Sequence, residues 1–436
     1  MIRKAYADWM YRWETALTTR DENRVVRPLE WGFDWLDDYI ERRNLRAKLF
    51  GASETPPEDD QQAHQAMLRL GDDIVQNGQT FFGYRMPTDF RLEERHPQLF
   101  PTNVRPETLQ KDAELRHRAA AGKLPKAQFL RFTSPVRTPH PENDQVNARW
   151  YPAPPAKQSG KPKQAIVVMP QWNADAFSHN ALCALFNRFG VSALRLSKPY
   201  HDIRRPAELE RSDYAVSANI GRTISACRQA VVDIRCCLDW LQAQGYEQFG
   251  VLGTSLGSCY AFIASAHDAR LRVNAFNHAA MNFGDVVWTG QSTRHIRQAL
   301  EPAMTQQGLA DLWRCISPVS YLDSFAHPER LDSKSDAGEL EAEEARKKVL
   351  VVHAKYDLTF REEFSLQVLE SFRRVGLDFV SKVLPCGHYT TGETPYKFID
   401  GWYLGSFVHS AFRDLAHAPA TVGAAEQARD EQLVAD

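Results

Sequence analysis

Residues 249–266 read FGVLGTSLGSCYAFIASA, and the fold is decided there. A short β-rich run, FGVLG, enters Gly253-Thr254-Ser255-Leu256-Gly257, and a helix-like run, Ser258–Ala266, leaves it. This strand–turn–helix context is what a nucleophile elbow requires. A serine on so sharp a turn is lifted above the sheet edge, and glycines two positions before and after it let the strand and helix backbones pass close together. The amide of the following residue, Leu256, then faces the place where an oxyanion would develop.

A serine hydroxyl is a weak nucleophile near neutral pH, so Ser255 needs a histidine base, and that base needs an orienting carboxylate. Both occur downstream, in the order Ser, Asp, His. The acid is placed at Asp357, where the strand-like KVLVVHA gives way to the turn KYDLTF and the helix Arg361–Arg374. An aspartate capping a turn is the structural alternative, and Asp285 is the substitute acid. The base is placed at His388, in LPCGHYTTG, where the last strand opens into a Gly-flanked loop. His353, within a strand, and His278, at the end of one, read as satisfied core groups.

A second oxyanion amide is expected from the loop after QAIVVMP, with Trp172 first and Asn173 next. The loop Ser197–Pro206 follows another strand and gathers Lys198, His201, Arg204 and Arg205. Asn173, His201 and Arg204 are its and its neighbour's candidate substrate contacts, the arginines suiting a carboxylate or phosphate unless the loop is simply solvated and salt-bridged.

Outward from these motifs, short β-rich runs alternate with helical stretches from about residue 126 to 416, which predicts an α/β fold with a mostly parallel central sheet covered by helices on both faces. AQFLRFTSPV and QVNARWYPA form a hairpin ahead of it, and Ile224–Gln242 is the clearest covering helix, with Ala230, Val231, Ile234, Leu238 and Leu241 on one stripe. Asn282–Val319 is a helical, lid-like insertion, and Asp332–Lys348 a solvated charged run. Residues 1–125 form an N-terminal helical extension or cap, with helices around Ala5–Leu17, Trp31–Tyr39 and Gln61–Val75. Trp9, Trp13, Trp31 and Trp35 require that this extension dock on the rest of the chain. Residues 417–436 are expected to form a disordered tail.

The 436 residues are 43% hydrophobic and 25% charged, enough for a full core, and the net charge of −2 supplies no field to hold nucleic acid. No window reaches the roughly 18 apolar residues of a spanning helix. With no secretory signal in MIRKAYADWMYRWETALTTRDENR, a cytoplasmic location is expected. None of the seven cysteines has zinc-site spacing, so free buried thiols and no metal are expected.

These motifs resemble the α/β-hydrolase superfamily over about residues 125–415: GTSLG its elbow, AKYDLT its acid turn and CGHY its histidine loop. The stretch WNADAFSHNALCALFNRFGVSALRLSKPYHDIRRP followed by LDWLQAQGYEQFGVLGTSLGS resembles the branch that includes abhydrolase domain-containing protein 18, and less closely the dienelactone hydrolase and acetylxylan esterase types. The resemblance implies cleavage of a small-molecule ester or other acyl bond through an acyl-serine, without metal or organic cofactor. Where many members carry His-Gly before the oxyanion residue, Pro170-Gln171 stand here. An acyltransferase on the same triad and a non-catalytic binding scaffold are the alternative readings.

Overall fold

The structure is a computed structural model that describes residues 2–332 and 346–416. Most of the charged run and the whole tail from residue 417 lie outside the described residues.

Nine strands form one sheet: β1 (Arg91–Arg95), β2 (Ala127–Thr133), β3 (Gln145–Tyr151), β4 (Gln164–Met169), β5 (Val191–Leu196), β6 (Gln248–Thr254), β7 (Leu271–Asn277), β8 (Lys348–Ala354) and β9 (Val380–Leu384). Their order is β1-β2-β3-β5-β4-β6-β7-β8-β9. The pairs from β1 through β3 to β5 are antiparallel, and the pairs β5-β4-β6-β7-β8-β9 are parallel. The chain therefore leaves β4 for β5 on one side and returns to place β6 on the other. All six parallel strands end at one edge, where loops can converge on a ligand.

The middle strands are near-continuous apolar runs because both their faces are covered. Alternate residues serve opposite cores: Ala165, Val167, Val251, Val349 and Val351 face one, and Ile166, Val168, Leu252, Leu350 and Val352 the other. The first core is closed by the helices Ile220–Ala243 and Leu256–Ala266, the second by Asn180–Arg188 and Tyr396–Ala416. At one edge, β1 reads RLEER, a strand with four charged residues of five, which discourages pairing with another chain.

Two expectations need correction. The helix expected at Ile224–Gln242 runs from Ile220 to Ala243 and is buried almost all round, not on one stripe. Its outer face is covered by N-terminal residues: Arg228 donates to Phe81 O and pairs with Asp38, Arg235 donates to Phe82 O, and a Cβ on Gly221 would lie 1.9 Å from Gly32 O. Second, residues 1–125 are not purely helical, since they supply β1. The region packs on both sides of the sheet, with Met10 of the helix Ile2–Thr19 in the second core and Phe33, Tyr39 and Leu70 in the first. The four tryptophans dock only in part, Trp9 remaining 45% exposed. The insertion after β7 folds into the helices Phe283–Thr289, Arg294–Leu300 and Gln306–Leu312, anchored by fully buried Trp313.

Candidate active site

The elbow forms because β6 must turn straight into the helix Leu256–Ala266. Ser255 takes φ 58°, ψ −122°, a conformation that costs a non-glycine residue and persists only where the surroundings enforce it. They do so here. A Cβ on Gly253 would lie 2.2 Å from Gly257 O, and one on Gly257 would lie 2.2 Å from Met169 O, so both glycines are dictated by backbone contact. Ser255 N donates to Asn277 O at 2.7 Å, tying the turn to the end of β7.

The three side chains singled out from the sequence meet at this edge. His388 Nε2 lies 3.0 Å from Ser255 Oγ, and His388 Nδ1 lies 2.8 Å from Asp357 Oδ2. The other carboxylate oxygen, Oδ1, accepts the amides of Thr359 and Phe360 at 2.7 and 2.6 Å, which locks the aspartate's rotamer. The Phe360 ring stacks on the His388 imidazole, with centroids 5.3 Å apart and planes 10° from parallel. Ser255 is only 5% exposed. Asp285, the substitute acid, is elsewhere engaged, accepting from Gln306 Nε2 at 2.7 Å.

The electrostatics follow from burial and charge. Burial opposes ionisation of Asp357, but the charge and hydrogen bond of His388 and the close His278 imidazole outweigh it, holding the carboxyl well below the usual range. Burial likewise pulls the His388 imidazole down, and Asp357, with a smaller contribution from Glu14, more than reverses this, leaving it above its ordinary value.

His278 was expected to be a satisfied core group, and it is not. It follows β7 directly, its Nδ1 is 3.2 Å from Asp357 Oδ2, and its ring centroid is 4.6 Å from that of His388. Burial, then the charge of His388, lowers its affinity for a proton. The signal that would have found it is position: it stands at the C-terminal end of a parallel strand adjoining the elbow strand.

The loop that follows β4, expected to carry the second oxyanion donor, is held by several contacts. Lys198 Nζ donates to Gln171 O at 2.9 Å, and Trp172 Nε1 donates to Ser212 O at 3.0 Å. The close approach of Gly257 to Met169 O and Pro170 O sets this loop beside the first turn of the elbow helix. The Asn173 amide is occupied, donating to His201 Nε2 at 3.2 Å, while Asn173 Oδ1 accepts from Ser212 N at 2.8 Å and Asn173 O from Thr102 Oγ1 at 2.9 Å.

The expected substrate contacts in the following loop are corrected by the same packing. Arg204 is fully buried in an ion pair with Asp233 at 2.8 Å and donates to Asn143 O and Ser197 O. His201 is 1% exposed, between the Asn173 amide and Pro199 O. The Arg204 guanidinium, this far from water, needs a carboxylate partner, and Asp233 of the helix Ile220–Ala243 supplies it. Asn173, with its amide, side chain and carbonyl all engaged, supports the loop in the same way.

Two groups among the described residues bring three possible metal ligands within 4.8 Å of one another. In the first, His278, Asp357 and His388, the two Nδ1 atoms and the carboxylate are turned on each other. The second, His140, Glu142 and Glu208, lies at the surface. An open surface cleft lined by Arg95, Phe100, Phe129 and Arg149 does not include Ser255 in its wall.

The strand order, with its switch between β5 and β6, and the elbow after β6 define an α/β-hydrolase fold. No family model and no curated protein sequence matches the chain. Among solved structures, it is similar to the acylaminoacyl peptidase of Pyrococcus horikoshii, at 10% identity and TM-score 0.48 over 68% of this chain and 47% of that one. It is also similar to acetyl xylan esterase 1 from a Thermoanaerobacterium species, at 12% identity and TM-score 0.48 over 80% and 94% of the two chains. A Pyrococcus furiosus esterase aligns at 11% identity and TM-score 0.41 over 75% and 98%. The chain spans about half the length of the peptidase. Among the described residues no helix is long and apolar enough to cross a membrane.

Proposed function

We propose that the chain is a serine hydrolase that cleaves a carboxylic ester, or a related acyl bond, of a small molecule through an acyl-serine intermediate. The observation that carries this reading is the unbroken relay from Ser255 Oγ to His388 Nε2 at 3.0 Å and from His388 Nδ1 to Asp357 Oδ2 at 2.8 Å.

In this reading Ser255 Oγ attacks the acyl carbonyl carbon while His388 Nε2 takes its proton. The imidazolium is stabilised by Asp357, and the same proton passes to the departing alcohol, leaving the acyl group on Ser255. Water then attacks, with His388 again as base, and the acid is released. The tetrahedral oxyanion is received by the amide of Leu256, which as the first residue of its helix has no intrahelical acceptor. Trp172 is the second donor, since the Asn173 amide is committed to His201. No step calls for a metal or an organic cofactor. The likeness to the branch containing abhydrolase domain-containing protein 18 belongs to this reading and rests on the sequence motifs alone.

The test is hydrolysis of nitrophenyl esters graded by acyl length. Turnover by the wild type and none by Ser255→Ala is expected; equal rates in the two would overturn the reading.

A further inference from the structure

The N-terminal helix Ile2–Thr19 presents Tyr6, Met10 and Glu14 at i, i+4 and i+8, one face of a helix, to the segment that carries His388. The Tyr6 hydroxyl donates to Pro385 O, and Met10 Sδ lies 3.5 Å from Thr390 Oγ1. Glu14 is wholly buried, an unusual place for a carboxylate. Its Oε1 accepts the Tyr389 amide at 2.8 Å, and its Oε2 accepts the Thr390 amide at 3.0 Å and Thr390 Oγ1 at 3.1 Å. Thr390 Oγ1 in turn accepts the Gly387 amide at 2.6 Å, so the residues on both sides of His388 are tied to one carboxylate. A Cβ on Gly387 would lie 2.4 Å from Glu14 Oε2, which leaves glycine as the residue that fits.

We propose that Glu14 is a positioning residue for His388, making the first helix of the chain a working part of the hydrolytic centre; this rests on the reading of Ser255, His388 and Asp357 given above. Every group hydrogen-bonded to the Glu14 oxygens is a donor, as suits a carboxylate rather than an amide; burial, then the charge of Asp357, raises its proton affinity, and the Tyr389 and Thr390 amides and the charge of His388 work against that rise. The charge also reaches the base. Burial lowers the proton affinity of His388, Asp357 raises it and Glu14 adds to that rise. The other groups facing His388 are His278, itself disfavoured as a cation by burial, and the hydroxyl of Ser255. Glu14 is faced by Asp357, His388 and the Cys386 thiol, and Tyr389 by Arg24 and Arg211.

The experiment is the rate of labelling by a fluorophosphonate probe, followed across the pH range in which an imidazole titrates, for the full-length wild type, Glu14→Gln and Glu14→Asp. Glu14→Gln is expected to label roughly tenfold to a hundredfold more slowly, the scale of a misplaced catalytic group, with its acid limb moved to lower pH. Glu14→Asp keeps the charge and loses reach, so it is expected to label slowly with the limb near the wild-type position. A Glu14→Gln rate that falls only as far as its melting curve accounts for, with the limb unmoved, would overturn the proposal. So would wild-type labelling by Glu14→Asp should Glu14→Gln not fold. A wild type that takes no label sinks the hydrolase reading itself, whereas a labelled wild type matched by Glu14→Gln sinks only the role of Glu14.

Discussion

His278 Nδ1 lies 3.2 Å from Asp357 Oδ2, the oxygen that His388 Nδ1 reaches at 2.8 Å, so one carboxylate supports two imidazoles. The His278 contact is off the line of a well-formed hydrogen bond but close enough to stabilise a buried negative charge. Replacing it with alanine leaves Asp357 less well held. His278→Ala is expected to lower kcat about tenfold, about 1.4 kcal/mol of barrier, with KM unchanged. Steady-state kinetics check this, and a wild-type kcat would remove His278 from the account.

The orienting acid is tested by a pair of substitutions. Asp357→Asn keeps the shape but presents a donor to His388, and kcat is expected to fall by roughly 10⁴-fold, the scale seen when a triad loses its carboxylate. Asp285→Asn, whose side chain binds Gln306, is expected to turn over esters like the wild type. The reverse pattern would transfer the acid to Asp285.

Gly257 abuts Met169 O and Pro170 O, so Gly257→Ala must push the elbow helix away from the loop after β4. A loss of at least about 2 kcal/mol in stability is expected from such overpacking, together with loss of probe labelling. Denaturant melts and labelling of the residual folded protein check the two effects separately.

Arg204, once a candidate substrate contact, is now expected to act on stability alone. Breaking its buried pair with Asp233 by Arg204→Ala leaves a carboxylate without its partner, at a cost of about 3–5 kcal/mol. The preference among ester chain lengths should be unaltered in whatever fraction stays folded. A changed preference would return Arg204 to the substrate site.

The pH dependence has two signs. In the proposed mechanism hydrolysis requires neutral His388, which Asp357 holds above the ordinary imidazole value despite burial, so activity should rise with pH through a limb above about 6.5. Stability runs the other way for this group. Its folded proton affinity is raised, so its contribution is fully present below the unfolded value and is lost as pH rises through the folded one. Asp357, held low in the fold, contributes above the unfolded carboxylate value and loses that contribution as pH falls through its folded value. The stability gap between wild type and His388→Gln should therefore narrow as pH rises through the activity limb, which urea melts on either side of it measure.

What the sequence discloses here is what local chemistry enforces. The elbow is legible because Gly253 and Gly257 answer to backbone contacts, and the central parallel strands because burial on both faces leaves mostly apolar residues. Relations between distant segments leave no such mark. Glu14 lies 375 positions from the Tyr389 amide it accepts, and nothing near it in the chain announces that partner. The helix Ile220–Ala243 contains Arg228, Asp233 and Arg235, which read as a solvent face until Asp38, Arg204 and the Phe82 carbonyl cover them. Arg204 misled for the same reason, its partner being a helix residue further along the chain. The strand β1 is too charged to carry a hydrophobic alternation, and only its pairing with β2 reveals it.

The most direct test of the central claim is peptide mapping by mass spectrometry after fluorophosphonate treatment of the native protein. A single adduct is predicted on the peptide bearing Ser255, with none formed in His388→Ala. Adduct on another serine, or labelling of Ser255 undiminished in His388→Ala, would contradict it.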